Sequence, residues 1–117
     1  MHTLTEGALQ VYTFRKCVLA GITHYKFSSP AKRAVPDLIL IYKGRVVFVE
    51  LKSPAKTGKL SKLQLHELKI LAKQGAECYV IDEYEHIDEL IKCLKFNYRP
   101  ANYDKTAIRI RPYTSYS

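Results

Sequence analysis

The amino-acid sequence predicts a fold of the α/β (α+β) class, in which helices flank a mixed central sheet. Two apolar runs, Leu38–Tyr42 and Arg45–Val49, are separated by Lys43-Gly44, a pattern typical of an antiparallel hairpin. Three other segments carry apolar residues at helical spacing. One of these helices separates the hairpin from a later apolar run, Cys78–Ile81, so we expect a crossover connection within the same sheet.

Each predicted helix has its own start and stop signals. Thr3 is the candidate N-cap and Gly21 the candidate stop of the first helix, and Ser61 and Gly75 have these roles in the second. The first helix is predicted to bury one stripe of side chains, namely Leu4, Ala8, Val11, Tyr12, Arg15 and Leu19. The predicted elements are a helix over residues 4–20, a strand over 22–28, hairpin strands over 38–42 and 45–49, a helix over 61–74, a strand over 78–81, a helix around 87–94 and an edge strand over 107–111.

Length and composition predict a single domain that spans residues 1–117, with 47% apolar residues to build a core. The sequence has no apolar run of about 18 residues and no signal-peptide pattern at its start. We therefore expect an intracellular protein without a membrane partner. The three cysteines have no ligand-like spacing, which favours reduced thiols packed in the interior.

The net charge of +8 is unevenly distributed along the chain. Residues 1–35, 52–75 and 95–117 are strongly basic, whereas residues 77–94 carry six acidic side chains and one basic side chain. A fold that merges the basic segments would bind a polyanion, although charge alone also fits a merely soluble basic protein. The candidates for phosphate contacts flank the hairpin and are Lys32, Arg33, Lys56, Lys59 and Lys62.

Charged residues interrupt the most apolar part of the chain at Asp37, Glu50 and Lys52. If Lys43-Gly44 is the turn, paired residue numbers add up to 87, and Asp37 lies opposite Glu50, about 4.5–5.5 Å away at Cα. Lys52 is two residues beyond Glu50 and points to the same face of the sheet. The register therefore predicts that two carboxylates and one lysine converge.

Facing carboxylates destabilise a sheet unless they share a proton or bind a divalent cation. Oxygen ligands from two strands suit Mg²⁺ or Mn²⁺, and the backbone carbonyl of Leu51 could be a further ligand. Lys52 would then orient an attacking water or stabilise the charge of a phosphoryl transition state. The alternative is that Asp37 caps a loop, while Glu50 and Lys52 lie on a solvated face and bind nothing.

Four motifs occur in a familiar arrangement: Val35–Leu38 with Pro-Asp, Gly44–Lys52 with Glu-x-Lys, Gly58–Gln64 with Leu-Ser-x-x-Gln, and Leu71–Ala76 with a glycine. Together they resemble the VRR-NUC (virus-type replication-repair nuclease) branch of the PD-(D/E)xK superfamily, in its stand-alone phage-type form, over about residues 6–82. Ala34 departs from this pattern, because the family has a glycine two residues before Pro-Asp. The resemblance implies a restriction-endonuclease-like PD-(D/E)xK core and a metal-dependent phosphodiesterase that acts on DNA, with Mg²⁺ or Mn²⁺ and no organic cofactor.

The resemblance also implies a role for each matching residue. Asp37 and Glu50 would be metal ligands, Lys52 the catalytic lysine, and Gln64 a glutamine near that lysine and the substrate. Glu6 would hold the metal directly or through water. Such stand-alone members resemble Holliday-junction resolvases and are expected to be homodimers, because paired cuts in a four-way junction need two active sites. A flap or single-strand-preferring nuclease and a non-catalytic DNA-binding module are the alternatives.

Glu6 and Gln64 also have structural explanations in the sequence. Thr3-x-x-Glu6 and Ser61-x-x-Gln64 both match the capping box, in which the side chain satisfies an amide of its own helix. Gln64 shares the sheet-facing arc of its helix, where a polar group needs a partner. With the resemblance added, we expect both side chains in the active site.

Overall fold

The computed structural model of the chain describes residues 2–29, 34–56 and 59–100. Within these residues the elements follow the predicted order of helix, three strands, helix, strand and helix. Their bounds are α1 Glu6–Ala20, β1 Thr23–Lys26, β2 Leu38–Tyr42, β3 Arg45–Leu51, α2 Lys62–Lys73, β4 Glu77–Ile81 and α3 Tyr84–Phe96. The edge strand predicted over residues 107–111 lies outside the described part of the chain.

The strands form one 4-stranded sheet in the order β1-β2-β3-β4. β1 pairs with β2 and β2 with β3 in antiparallel orientation, whereas β3 and β4 are parallel because α2 connects them by a crossover. The predicted mixed sheet with flanking helices is therefore confirmed. Leu51 and Ile81 pair at the ends of the parallel strands, so the residues that follow either strand lie near each other.

The β2–β3 hairpin has the predicted register. Leu38 pairs with Val49, and the numbers of every paired residue add up to 87. Lys43 and Gly44 turn the chain with positive φ angles of 48° and 83°, as a two-residue type I′ turn requires. Asp37 therefore stands one residue before β2, at the end of the hairpin that is farthest from the turn.

The sheet separates two hydrophobic layers. α1 and α3 pack on one face around side chains such as Val49 and Ile81, and α2 packs on the other face near Phe48. Because side chains alternate along a strand, Glu50 and Lys52 share the α2 face with Phe48. Glu50 and Lys52 thus point toward the start of α2, where both contact Gln64.

The predicted stripe of α1 was wrong at Leu4, Val11, Arg15 and Leu19, which are exposed, whereas Tyr12 packs against the core. The structure buries Leu9, Thr13 and Cys17, whereas 57% of Leu4 and 83% of Leu19 are exposed. Thr13 can be buried because its hydroxyl donates to the Leu9 carbonyl at 2.8 Å, and a buried cysteine packs like a small apolar side chain. The apolar pattern failed here because the core-facing residues of α1 are no more apolar than its exposed ones.

Other sequence predictions hold. Gly21 ends α1 in the left-handed conformation with a φ angle of 73°. Cys17, Cys78 and Cys93 are all buried and free of disulfide bonds, as expected. No helix among the described residues combines the length and the apolar character that a membrane span requires.

Candidate active site

Asp37 is fixed at the open end of the hairpin. Its Oδ2 atom accepts a hydrogen bond from the backbone N–H of Leu51 at 2.8 Å, and its carbonyl accepts one from the Phe27 N–H at 2.7 Å. The side chain is thereby held against β3 at Leu51, the residue that follows Glu50. This contact uses one of the two carboxylate oxygens of Asp37.

Glu50 and Lys52 are both buried at the carboxyl end of β3, with 2% and 8% of their surface exposed. Glu50 Oε2 accepts a hydrogen bond from Gln64 Nε2 at 3.0 Å and lies 3.5 Å from Lys52 Nζ. Lys52 Nζ in turn donates to Gln64 Oε1 at 2.9 Å. These three side chains form a closed set of contacts that joins β3 to α2.

The carboxylates at this edge of the sheet interact electrostatically. Burial and the negative charge of Asp37 raise the pKa of Glu50 to about 8, and the positive charge of Lys52 offsets only part of this effect. Burial and Asp37 also raise the pKa of Glu6. A divalent cation bound among these oxygens would relieve their repulsion, so the donor set fits a hard cation such as Mg²⁺ or Mn²⁺.

Glu6 is not the capping-box residue that one interpretation of the sequence suggested. The N-cap of α1 is Thr5 instead of the predicted Thr3, so Glu6 is the first residue of the helix. It is exposed and lies three residues before the buried Leu9. The charges of Asp37 and Lys52 both act on the pKa of Glu6, which indicates that Glu6 lies near this edge of the sheet.

Gln64 combines the two roles that the sequence left open. Its backbone N–H donates to Ser61 Oγ at 3.0 Å, and its Oε1 accepts from the Ser61 N–H at 2.9 Å, which completes a capping box. The same Oε1 also accepts from Lys52. Because two donors converge on Oε1, the amide can present only its NH₂ group to Glu50.

Replacing Ser61 with alanine should reduce both stability and catalytic activity. The loss of the cap hydroxyl should lower the free energy of unfolding by about 1 kcal/mol, and a looser helix start frees the amide of Gln64. Thermal unfolding and cleavage rates measure the two effects. Ser61→Thr keeps the hydroxyl and is the control, and an equal loss in both variants would contradict a role for the cap.

The structure describes three of the five predicted phosphate-contacting residues, namely Lys56, Lys59 and Lys62. Lys32 and Arg33 lie outside the described residues. Lys59, three residues before α2, and Lys62, the first residue of α2, are both exposed. Contact of these residues with DNA stays a prediction.

The sequence interpretation missed a second charged group next to the site. Asp82, Glu83 and His86 place possible ligand atoms within 4.8 Å of one another. Lys56 Nζ lies 2.8 Å from Asp82 Oδ1 and 3.2 Å from Glu83 Oε2, so an ammonium group already balances this charge. Two acids directly after a buried strand that runs parallel to β3 were the signal that could have revealed it. The metal site predicted at Glu6, Asp37 and Glu50 stays a prediction.

The sheet order, the flanking helices and the carboxylate–lysine edge together define a nuclease fold of the PD-(D/E)xK class. Among solved structures the chain matches a VRR-NUC domain with a TM-score of 0.69 and 28% identity, over 77% of this chain and 97% of that one. A phage protein named as a candidate nuclease, p44 of Acyrthosiphon pisum secondary endosymbiont phage 1, is 31% identical over 86 residues, which are 73% of this chain and 90% of that protein. No family model matches the sequence. These two similarities show that the chain belongs to the VRR-NUC family.

Proposed function

We propose that this protein is a divalent-metal-dependent endodeoxyribonuclease that acts on branched DNA, with the four-way junction as its substrate. The observation that carries the proposal is the buried Glu50, which contacts Lys52 and Gln64 and whose pKa is raised by the charge of Asp37. Burying several charged groups together is costly, and a protein that only binds DNA has no need of it. The arrangement therefore favours hydrolysis over the non-catalytic alternative.

The residues of the site have separate roles in the proposed hydrolysis of a phosphodiester bond. Mg²⁺ or Mn²⁺, when bound, supplies a water of lowered pKa and neutralises charge on the phosphate. Glu6, Asp37 and Glu50 provide the carboxylate oxygens that hold the ion, and the Leu51 carbonyl is a further candidate ligand. Lys52 carries a positive charge at Nζ, which orients the attacking water or stabilises the charge that develops on the phosphoryl oxygens.

DNA binding is proposed to involve basic residues that precede Asp37 or follow Lys52 in the sequence. Lys59 and Lys62 would contact phosphates from the start of α2, and Lys32 and Arg33 would do so from the loop before Asp37. The net charge of +8 supports a polyanionic ligand. The phage origin of the p44 relative supports action in the cytoplasm of a bacterial host.

Four-way-junction cleavage further requires a homodimer in this proposal, because two strands must be cut by two active sites. Exposed apolar side chains on α1 support a surface that a second copy covers: Val18 is 69% exposed and Leu19 is 83% exposed. Light scattering during size-exclusion chromatography measures the mass in solution. A monomer at all concentrations would contradict the paired-cut part of the proposal.

The proposed activity is tested with labelled four-way junction, flap, duplex and single-stranded DNA, each with Mg²⁺, Mn²⁺ or EDTA. We expect paired nicks in the junction with either metal and no product in EDTA. Asp37→Asn keeps the size of the side chain but removes its charge, so it is the matched inactive variant. Absence of metal-dependent cleavage of every substrate would contradict the nuclease proposal. Cleavage of flaps but not of four-way junctions would contradict the resolvase proposal and support the flap-nuclease alternative.

A further inference from the structure

The loop after Lys52 is attached to two other elements at the same edge of the sheet. The Lys52 N–H donates to the Ile81 carbonyl at 2.9 Å, which extends the pairing of β3 with β4 by one residue. Ser53 Oγ donates to the Leu4 carbonyl at 3.0 Å, two residues before Glu6. The loop therefore connects the end of β3 with the start of α1.

Lys56 makes a third attachment, and it makes the most contacts. Its Nζ atom donates to the Asp82 carbonyl at 3.1 Å and to Glu83 Oε2 at 3.2 Å, and it lies 2.8 Å from Asp82 Oδ1. Asp82 is 3% exposed, and a buried carboxylate is costly without a positive partner. The side chain of Lys56 is therefore engaged within the protein.

The backbone of Lys56 supports the same conclusion. Its φ angle of 65° lies in the left-handed region, which glycine adopts freely and a lysine adopts at a cost. The contacts with Asp82 and Glu83 offset this cost, because they hold the residue in a conformation that it would otherwise avoid. A lysine at this strained position is best explained by the contacts of its side chain.

We propose that Lys56 is a positioning residue, which locks the loop after Lys52 onto the end of β4 and, through Ser53, keeps Glu6 beside Asp37. The inference rests on the proposed function, because the position of Glu6 matters only if the site holds a metal. It also gives Lys56 a role that differs from the phosphate contact expected from the sequence. Releasing the lock separates the start of α1 from the hairpin and weakens metal binding.

Changing Asp82 distinguishes the two roles, because this side chain is buried and partners the lysine. If Lys56 is the lock, Asp82→Asn and Lys56→Met should each weaken Mn²⁺ binding by about ten-fold in calorimetry, while KM for DNA changes little. If Lys56 instead contacts phosphate, Lys56→Met should raise KM and reduce the salt dependence of DNA binding by about one unit of slope. Asp82→Asn would then leave Mn²⁺ affinity at the wild-type value, which would overturn the proposal.

The double variant Lys56→Met/Asp82→Asn provides an independent check. It should bind Mn²⁺ no more weakly than either single variant, because both substitutions remove the same contact. Additive losses would overturn the proposal. Lys56→Arg keeps the charge and should retain most of the metal affinity, and Lys69→Met, an exposed lysine on α2, controls for lost charge.

Folding of the variants does not limit the test. The Lys56 side chain is 45% exposed, so Lys56→Met should fold even if Asp82→Asn does not. Wild-type Mn²⁺ affinity in Lys56→Met would by itself overturn the proposal. A wild-type protein that neither binds Mn²⁺ nor cleaves DNA would overturn the proposed function instead.

Discussion

Replacing Lys52 with methionine should lower kcat for DNA cleavage by about 100- to 1,000-fold, because it removes a positive charge from the reacting phosphate. Lys52 Nζ is anchored 3.5 Å from Glu50 Oε2 and 2.9 Å from Gln64 Oε1. Methionine keeps the unbranched stem of the side chain and removes only the ammonium group, so the loss should appear in kcat and not in KM. Single-turnover cleavage of a four-way junction at saturating Mg²⁺ measures it.

The matched control for this substitution is Lys69→Met, which removes one positive charge from the exposed face of α2. Its cleavage rate should stay close to that of the wild type at low salt. If Lys52→Met and Lys69→Met lowered the rate by similar factors, Lys52 would act only through the overall charge of the protein. A kcat of Lys52→Met close to that of the wild type would show that Lys52 has no catalytic role.

The metal-free protein should become less stable as pH rises from about 4.5 toward about 8. The Glu50 carboxyl has an ordinary pKa of 4.5, and burial together with Asp37 raises it to about 8 in the folded protein. The unfolded chain therefore releases this proton at lower pH than the folded protein does. The stability contributed by Glu50 is complete below pH 4.5 and is lost as pH rises through the folded pKa. Between these two pKa values the free energy of unfolding should fall by about 1.4 kcal/mol for each pH unit.

Thermal unfolding in EDTA between about pH 5 and pH 9 measures this effect, with Glu50→Gln as the uncharged variant of the same shape. We expect Glu50→Gln to have a flatter profile and a higher melting temperature than the wild type at pH 8. Saturating Mg²⁺ should stabilise the wild type at pH 8, because the ion replaces the proton, and should stabilise Glu50→Gln much less. Parallel profiles of the two proteins in EDTA would contradict the raised pKa of Glu50.

The hairpin and α1 show why some of the fold could be predicted from the sequence and some could not. A two-residue turn fixes the pairing of all residues on both strands, so the position of Asp37 follows from Lys43-Gly44 alone. The buried face of α1 depends instead on a hydrogen bond from Thr13 to its own helix and on Cys17. Neither feature produces an apolar periodicity, and the predicted stripe was therefore wrong at four of its six residues.

The candidate site also contains features that the sequence could predict and features that it could not. Gln64 matched both a capping box and an active-site position. The sequence could not show that the amide oxygen accepts from the Ser61 N–H while the amide nitrogen donates to Glu50. Lys56 suggested a phosphate contact because it follows Lys52 closely. Its partner Asp82 comes from beyond α2 and β4, and the relative position of parallel strands cannot be derived from the sequence of either strand.

The turn at Lys43-Gly44 is remote from the chemistry, yet it constrains how relatives of this protein can diverge. Five residues lie between the turn and each acid: Asp37 begins the first arm, and Glu50 ends the second. One residue inserted into or deleted from a single arm would move one acid by about 3.3 Å and point it to the opposite face. Across the family, the interval between the two acids should therefore keep its length.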